Sequence, residues 1–227
     1  METAAFEKTL GVKFKDKELL IEALTHRSYL NENPKAGSGH NERLEYLGDA
    51  VLELMVSEEL FAKFPREAEG RLTVLRAALV NYQILARVAE AVGLQDFIRM
   101  SRGERKDTGR AREVILANAI EAVIGALYLD QGFAKTEAFV KKFVMVNLDE
   151  VLKTGSYKDA KSELQEVVQE KFHVTPTYRV MGESGPAHKR IFTMGVYFGD
   201  KFIAQGEGPS KQDAEVEAAK NALKRVK

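Results

Sequence analysis

The sequence has 227 residues, of which 44% are hydrophobic and 30% are charged, and this length allows one large domain or two small ones. It contains no cysteine, which excludes disulfide bonds and thiolate metal sites, and its 34 basic residues balance 34 acidic ones. Because the net charge is zero, any binding to nucleic acid has to come from local clusters of charge. No apolar run approaches the roughly 18 residues that span a bilayer and nothing argues for export, so we expect a cytoplasmic protein with no membrane partner.

Helical patterns fill the first two thirds of the chain. Between them, residues 101–112 are predicted to form a polar loop with five arginines or lysines and two glycines. This stretch indicates either a solvated loop or an edge that contacts nucleic-acid phosphates. The predicted helices cover residues 6–10, 16–24, 40–64, 69–91, 113–130 and 134–151.

The helix that begins near residue 40 carries a row of carboxylates, in the stretch HNERLEYLGDAVLEL. Glu42, Glu45 and Asp49 fall at i, i+3 and i+7, close to one line along the helix. Like charges at this spacing repel one another, so the row indicates either a cation such as Mg²⁺ among the oxygens or an ordinary solvated acidic face. Four apolar residues recur at helical spacing on another face and predict its burial: Leu44, Leu47, Val51 and Leu54.

The helix at 113–130 is apolar on most sides, and Asn118 and Glu121 are its few central polar residues. These two residues are three apart, so they share one face of the helix. A carboxylate that is buried needs an ionic partner or a metal, because an isolated buried charge is costly. The pattern therefore makes Glu121 a candidate metal ligand.

The last third of the chain changes character after the stretch KTGSY. Residues 159–172 are predicted to be helical, and residues 178–183, 190–198 and 201–207 alternate apolar and polar side chains as half-buried strands do. Ser210 is expected to cap a final helix. This α-β-β-β-α order predicts a compact domain of about 70 residues with two helices on one face of a sheet.

Three stretches of the sequence resemble the ribonuclease III family, whose enzymes cut double-stranded RNA: LTHRSY at 24–29, NERLEYLGDAVLEL at 41–54 and ILANAIEAVIGALYLD at 115–130. The C-terminal part resembles the double-stranded-RNA-binding domain, on the stretches DAKSELQE, GPAHKR and GPSKQDAEVEAAKNAL. The resemblance implies an all-α nuclease domain with the ribonuclease III fold over residues 1–152 and a linker at 153–157. A small α+β double-stranded-RNA-binding domain would follow over residues 158–227.

The resemblance also implies the reaction. It is the Mg²⁺-dependent endonucleolytic hydrolysis of double-stranded RNA, in RNA processing and decay and in the maturation of ribosomal RNA precursors. The products would carry 5′-phosphates and short 3′ overhangs, and Mn²⁺ is a possible substitute for Mg²⁺. The enzyme would work as a homodimer on double-stranded RNA, without a small-molecule cofactor.

Site residues follow from the same motif matches. Asp49 and Glu121 would be the principal catalytic ligands, and Glu45 and Asn118 would complete the metal set. Glu42 and Glu69 match secondary acidic positions, although Glu69 could equally complement a helix dipole. Tyr46 matches an aromatic residue at the dimer contact. The implied RNA-binding residues are Ser162, Gln165, Glu166, Gln169, His188, Lys189 and Lys211.

Asn118 departs from the family pattern, which usually has Asp at this position (ILADA, where this chain has ILANA). An amide oxygen can still ligate Mg²⁺, but the site loses one negative charge. Three interpretations stay open: an active enzyme with weaker metal affinity, a catalytically weakened or inactive RNA-binding protein, and an asparagine introduced to trap RNA. A hydrolase that acts on something other than RNA is a further rival, which the second domain argues against.

Overall fold

The computed structural model describes residues 2–37, 39–154, 160–186 and 190–226. The chain divides into two compact units, residues 1–157 and 158–227. Residues 155–157 of the linker predicted at 153–157 lie outside the described residues, so the predicted domain boundaries stay a prediction. Within the described ranges, no helix is both long enough and apolar enough to cross a membrane.

The first unit is all-helical, as predicted. Its two longest helices, each of 22 residues, are the two that carry the predicted acidic residues. Single 3-10 turns stand at Leu94–Asp96 and Met145–Asn147. The helices are α1 (Glu2–Leu10), α2 (Lys17–Ala23), α3 (Arg27–Glu32), α4 (Glu42–Lys63), α5 (Glu69–Leu79), α6 (Tyr82–Ala91), α7 (Arg102–Lys106), α8 (Arg110–Gln131), α9 (Phe133–Phe143) and α10 (Leu148–Thr154).

Helix α8 lies at the centre of this unit and is buried on most sides, which confirms the prediction for 113–130. It packs against α4, α6 and α2. The buried apolar side chains of these helices form one continuous core with α1, α5 and α9. The prediction for Leu54 was wrong, because its side chain is 58% exposed on α4.

Local capping explains where the predicted helices were wrong. The helix predicted over 69–91 is two helices, because the Asn81 side chain accepts the Ile84 N–H (2.9 Å) and starts α6 anew. The loop predicted at 101–112 contains α7, which Ser101 caps, and it ends where α8 begins at Arg110. The helix predicted over 134–151 is divided by a 3-10 turn between α9 and α10. The short helix α3 was not predicted.

The second unit has the predicted α-β-β-β-α order: α11 (Ala160–Phe172), β1 (Pro176–Ser184), β2 (Ile191–Phe198), β3 (Lys201–Gly208) and α12 (Lys211–Val226). The strands form an antiparallel sheet in the order β1-β2-β3. Helix α12 passes so close to β3 that a Cβ on Gly206 would lie 2.1 Å from the Ala218 nitrogen. The core between the helices and the sheet includes Leu164, Val168, Val196, Ala204, Ala218, Ala219, Ala222 and Leu223.

Candidate active site

Three of the predicted acidic ligands, Glu45, Asp49 and Glu121, lie where α4 and α8 cross with their backbones in contact. A Cβ added to Gly48 would lie 1.8 Å from the carbonyl oxygen of Glu121, and one added to Gly125 would lie 2.3 Å from that of Leu44. Real Cβ atoms do not approach this closely, so both positions require glycine. The crossing brings Glu45 and the residues next to Gly48 to the middle of α8. Sequence reasoning missed these two glycines, although a glycine inside a strongly helical pattern is itself a signal of close packing.

Glu121 lies at this crossing with a half-buried side chain. Burial, and to a lesser degree the charges of Asp49 and Glu45, together raise the pKa of its carboxyl to about 8. The structure therefore brings together three of the predicted ligands, one from α8 and two from α4. Burial, with the repulsion from the two α4 carboxylates added, keeps a proton on Glu121 at neutral pH when no cation is present.

Glu45 and Asn118 complete the group. Burial raises the pKa of the Glu45 carboxyl, and the charges of Glu42 and Asp49 add to the rise. A hydrogen bond from the Asn118 side chain opposes this rise, because it favours the charged form of Glu45. The asparagine is thus part of the cluster. We call Glu45, Asp49, Asn118 and Glu121 the acidic cluster.

The donor set of the acidic cluster suits a hard divalent cation, because all of its side chains offer oxygen atoms. Among the described residues, no three Cys, His, Asp or Glu side chains lie close enough together to hold a metal ion as they stand. Asn118 adds an amide oxygen to the three carboxylates of the acidic cluster. A cation there would favour the charged form of Glu121 against the burial and the neighbouring charges that raise its pKa.

Glu42 lies at the edge of the acidic cluster, in the first turn of α4. Its carboxylate is 3.7 Å from Nη1 of Arg27 and 3.7 Å from Nδ1 of His40. It is half exposed, and its charge contributes to the raised pKa of Glu45. The structure thus places Glu42 beside the cluster, with basic partners of its own.

Hydrogen bonds join the LTHRSY stretch to the start of α4 and to residues 99–101. The Asn41 N–H donates to the Thr25 carbonyl (2.9 Å), and the His26 N–H donates to the Arg99 carbonyl (2.9 Å). The His26 ring nitrogen Nδ1 lies 2.7 Å from Oγ of Ser28, which also accepts the Ser101 N–H (3.0 Å). Burial lowers the pKa of the His26 imidazole, so this ring is neutral near pH 7 and serves as a helix cap. The motif therefore positions the carboxylates of α4.

Glu69 is not brought into the acidic cluster. It lies in the first turn of α5, where its carboxylate accepts a hydrogen bond from Oγ1 of Thr73 (2.9 Å) and complements the helix dipole. The charges that raise the pKa of Glu45 are those of Glu42 and Asp49, and those that raise the pKa of Glu121 are those of Asp49 and Glu45; Glu69 contributes to neither. Glu69 instead lines an open groove of about 600 Å³ beside Leu54 and Phe61.

Tyr46 follows Glu45 on α4, and its side chain is 82% exposed. It lines a second open groove, also of about 600 Å³, with Leu19, Leu47 and Leu129. Leu129 is 54% exposed. The structure thus presents Tyr46 on a surface of the first unit that combines these apolar side chains with the charged Glu22, Glu42 and Arg43.

In the second unit, the predicted RNA-binding residues of α11 share its solvent-exposed face. Lys211 is exposed at the first position of α12, with its ammonium 5.8 Å from the centre of the Phe192 ring. Ser210 caps this helix, since its Oγ accepts the Asp213 N–H (3.1 Å). His188 and Lys189 lie outside the described residues. The exposed residues of α11 are Ser162, Gln165, Glu166 and Gln169.

Two family models match the chain. A ribonuclease-III-like model matches residues 16–148, and a double-stranded RNA binding motif matches residues 160–226. Together with the acidic cluster, these matches define the class of the protein: a nuclease domain joined to a domain that binds double-stranded RNA.

Relatives agree over nearly the whole chain. Ribonuclease 3 of Desulforamulus reducens is 46% identical over 217 residues, which cover 96% of this chain and 88% of the relative. Ribonuclease 3 of Carboxydothermus hydrogenoformans is 45% identical, over 98% of this chain and 95% of the relative. The crystallised nuclease domain of ribonuclease III from Campylobacter jejuni is similar in structure, with a TM-score of 0.56 and 46% identity over 63% of this chain and 92% of that one. The chain belongs to the ribonuclease III family and is an endoribonuclease, which confirms the predicted family and fold class.

Proposed function

We propose that this endoribonuclease cuts double-stranded RNA at the acidic cluster with Mg²⁺, for which Mn²⁺ can substitute. The observation that carries the proposal is the glycine crossing, where Glu121 is half-buried near Glu45 and Asp49; burial and then these two charges raise the pKa of Glu121 to about 8. Carboxylates forced together in this way favour a divalent cation among them. The division of the chain into two compact units supports the proposed domain organisation. It consists of a nuclease domain over residues 1–152, a linker at 153–157 and an RNA-binding domain over residues 158–227.

In the proposed site, Asp49 and Glu121 are the principal ligands, and Glu45 and the amide oxygen of Asn118 complete the set. A Mg²⁺ held there would neutralise phosphate charge and make a bound water more acidic. The residues of the chain hold the site in place: the glycines fix the two helices, and the hydrogen bond from Asn118 favours the charged form of the Glu45 carboxyl. Glu121 would have to give up its proton to act as a ligand. Glu42 and Glu69 stay candidates for a secondary acidic role.

Asn118 supports a second candidate function, a protein that binds duplex RNA but cuts it weakly or not at all. The cluster carries one charge fewer than the family pattern, and this asparagine side chain is already hydrogen-bonded to Glu45. Against this candidate, the carboxylates of Glu45, Asp49 and Glu121 are all in place. We therefore favour an active enzyme with a weakened metal affinity.

We propose a homodimer with Tyr46 at the contact. The first unit exposes large apolar side chains on α4, namely Tyr46 (82%), Leu54 (58%) and Phe61 (73%), which a monomer would leave in water. In a second structure of the Campylobacter jejuni nuclease domain, a region involved in dimer formation is structurally flexible. Two copies of the present chain would supply two acidic clusters, one for each strand of the duplex.

The proposed mode of RNA recognition is by shape, through minor-groove 2′-hydroxyls and the phosphates between the grooves. The exposed polar face of α11 would contact one minor groove, and Lys211 would contact phosphates at the start of α12. His188 and Lys189, outside the described residues, are proposed for the next groove. RNA processing and decay in the cytoplasm, including ribosomal RNA maturation, is the proposed setting, with products that carry 5′-phosphates and short 3′ overhangs.

A comparison of substrates tests this function. The purified chain is incubated with a perfectly paired RNA duplex, the same sequence as DNA, and one RNA strand alone, with Mg²⁺, Mn²⁺ or EDTA. We expect short fragments with 3′ overhangs from the RNA duplex alone, and none in EDTA. An RNA duplex that is shifted on a native gel but stays intact would support the silent RNA-binding protein and overturn the proposed activity.

A further inference from the structure

Arg110 is the first residue of α8 and lies on the same side of that helix as Glu121. The two residues are eleven apart, so at about 100° per residue they differ by only about 20° around the axis. At 1.5 Å per residue, Arg110 stands roughly 16 Å from Glu121 along the helix and roughly 12 Å from Asn118. Arg110 is exposed, whereas Asn118 and Glu121 are half-buried. One side of α8 therefore carries both this arginine and the two cluster residues of that helix.

The Arg110 guanidinium is held over the Tyr82 ring, at 5.3 Å from its centre. Tyr82 is the first residue of α6, and its side chain packs partly against the core of the first unit. Within the described part of the chain, no carboxylate pairs with Arg110. An otherwise mobile cation is thus held in one place by a fixed ring, with its hydrogen-bond donors free.

The stability of α8 does not explain this arginine. A cation in the first turn of a helix opposes the positive end of the helix dipole. Asp and Glu are the residues that stabilise the first turn of a helix, and the first turn of α8 also contains Glu113. The cost indicates that Arg110 serves a ligand of negative charge.

We propose that Arg110 is a positioning residue for RNA cleavage, which contacts a phosphate of the bound duplex about three helical turns from Glu121 while the Tyr82 ring holds it there. The inference rests on the proposed function, because it places the duplex at the acidic cluster. A nucleic-acid duplex carries about one phosphate per 1.7 Å of its axis, so phosphates lie within reach of both groups at once. Arg110 would thus orient the duplex on the nuclease unit independently of the second unit.

The test compares Arg110→Gln with Arg112→Gln in the full chain. The second variant has the same change of charge two residues further on, but Arg112 is half-buried on another side of α8, where Nη1 lies 3.8 Å from the Met100 sulfur. Steady-state cleavage of a long RNA duplex is measured from low to moderate salt. We expect Arg110→Gln to raise KM roughly three- to tenfold, to change kcat less than about twofold, and to reduce the slope of log KM against log salt by about one. Arg112→Gln should keep the wild-type slope, and equal slopes for the two variants would overturn the inference.

Tyr82 provides the second test. Tyr82→Phe keeps the ring and should keep the wild-type KM, whereas Tyr82→Leu should raise KM about two- to threefold without a change in kcat. An unchanged KM in Tyr82→Leu would overturn the role of the ring.

If the wild-type chain leaves the duplex intact, the proposed function has failed, and this result is distinct from a failure of the inference. The slope of log affinity for the duplex against log salt is then measured by fluorescence anisotropy in EDTA. Loss of one phosphate contact in Arg110→Gln should still lower this slope by about one. An unchanged anisotropy slope would overturn the inference in that case too.

Discussion

Replacing Glu121 by glutamine should stabilise the metal-free protein, and the gain should grow with pH. In the folded chain the pKa of Glu121 is about 8, against 4.5 for an unperturbed carboxyl. Between these values the folded state holds a proton that the unfolded state has released, so the free energy of unfolding of the wild type falls as the pH rises. Glutamine stays neutral in both states and avoids this loss.

The magnitude follows from the difference in pKa. Each pH unit between 4.5 and 8 costs the wild type at most about 1.4 kcal/mol, so at most about 3 kcal/mol is lost between pH 6 and pH 8.5. Glu121 is only half-buried, and water therefore screens part of this effect. We expect the advantage of Glu121→Gln to grow by about 1–2 kcal/mol over that range.

Urea denaturation in EDTA at pH 6 and pH 8.5 measures the effect, by the circular dichroism of the helices. All variants share the same second unit, so its contribution cancels in the differences between them. Glu113→Gln is the matched control, because Glu113 is an exposed carboxylate on the same helix. The reasoning would be refuted by a Glu121→Gln advantage that is equal at both pH values, or by a control variant with the same gain.

Three further predictions follow from the same geometry. Asn118→Asp should lower the Mg²⁺ concentration for half-maximal cleavage about tenfold, because it restores a ligand charge; an unchanged Mg²⁺ titration would contradict this. Gly48→Ala should destabilise the chain by about 3 kcal/mol or more in thermal or urea unfolding, because the new Cβ would meet the carbonyl oxygen of Glu121 at 1.8 Å. Gly70→Ala, where nothing lies within 4 Å, should be neutral or stabilising, and equal losses at both glycines would be the contrary result. Lys211→Gln should weaken binding to duplex RNA and reduce the slope of log affinity against log salt by about one, and an unchanged slope in fluorescence anisotropy would count against it.

Much of the fold could be predicted because its signals are local. The apolar periodicity of 113–130 indicated a buried helix, and the alternation after residue 176 indicated strands. The break between α5 and α6 was missed because both halves have helical periodicity. The Asn81 side chain marks the break, because it donates to the Ala78 carbonyl at the end of α5 and accepts the Ile84 N–H at the start of α6.

The acidic residues of the site and their grouping were implied by the family resemblance, but residue spacing alone could not show that the two helices meet. This meeting depends on Gly48 and Gly125, which allow the backbones of two helices to touch although they are distant in sequence. The burial of Leu54 was predicted wrongly for a related reason. Helical spacing identifies an apolar face of a helix, but it does not show whether another element packs against that face. The pKa of Glu121 was equally beyond the sequence, because it arises from burial and from charges on another helix.

The most direct test of the acidic cluster is a single-turnover cleavage assay with Mg²⁺, in which Glu121→Gln is compared with Glu113→Gln and the wild type. Loss of a metal ligand should slow cleavage more than about a hundredfold, since even partners outside the ligand set are typically worth 10–100-fold. We predict this loss for Glu121→Gln with an unchanged affinity for duplex RNA, and a rate close to that of the wild type for Glu113→Gln. A Glu121→Gln variant that cuts at the wild-type rate would contradict the proposed active site.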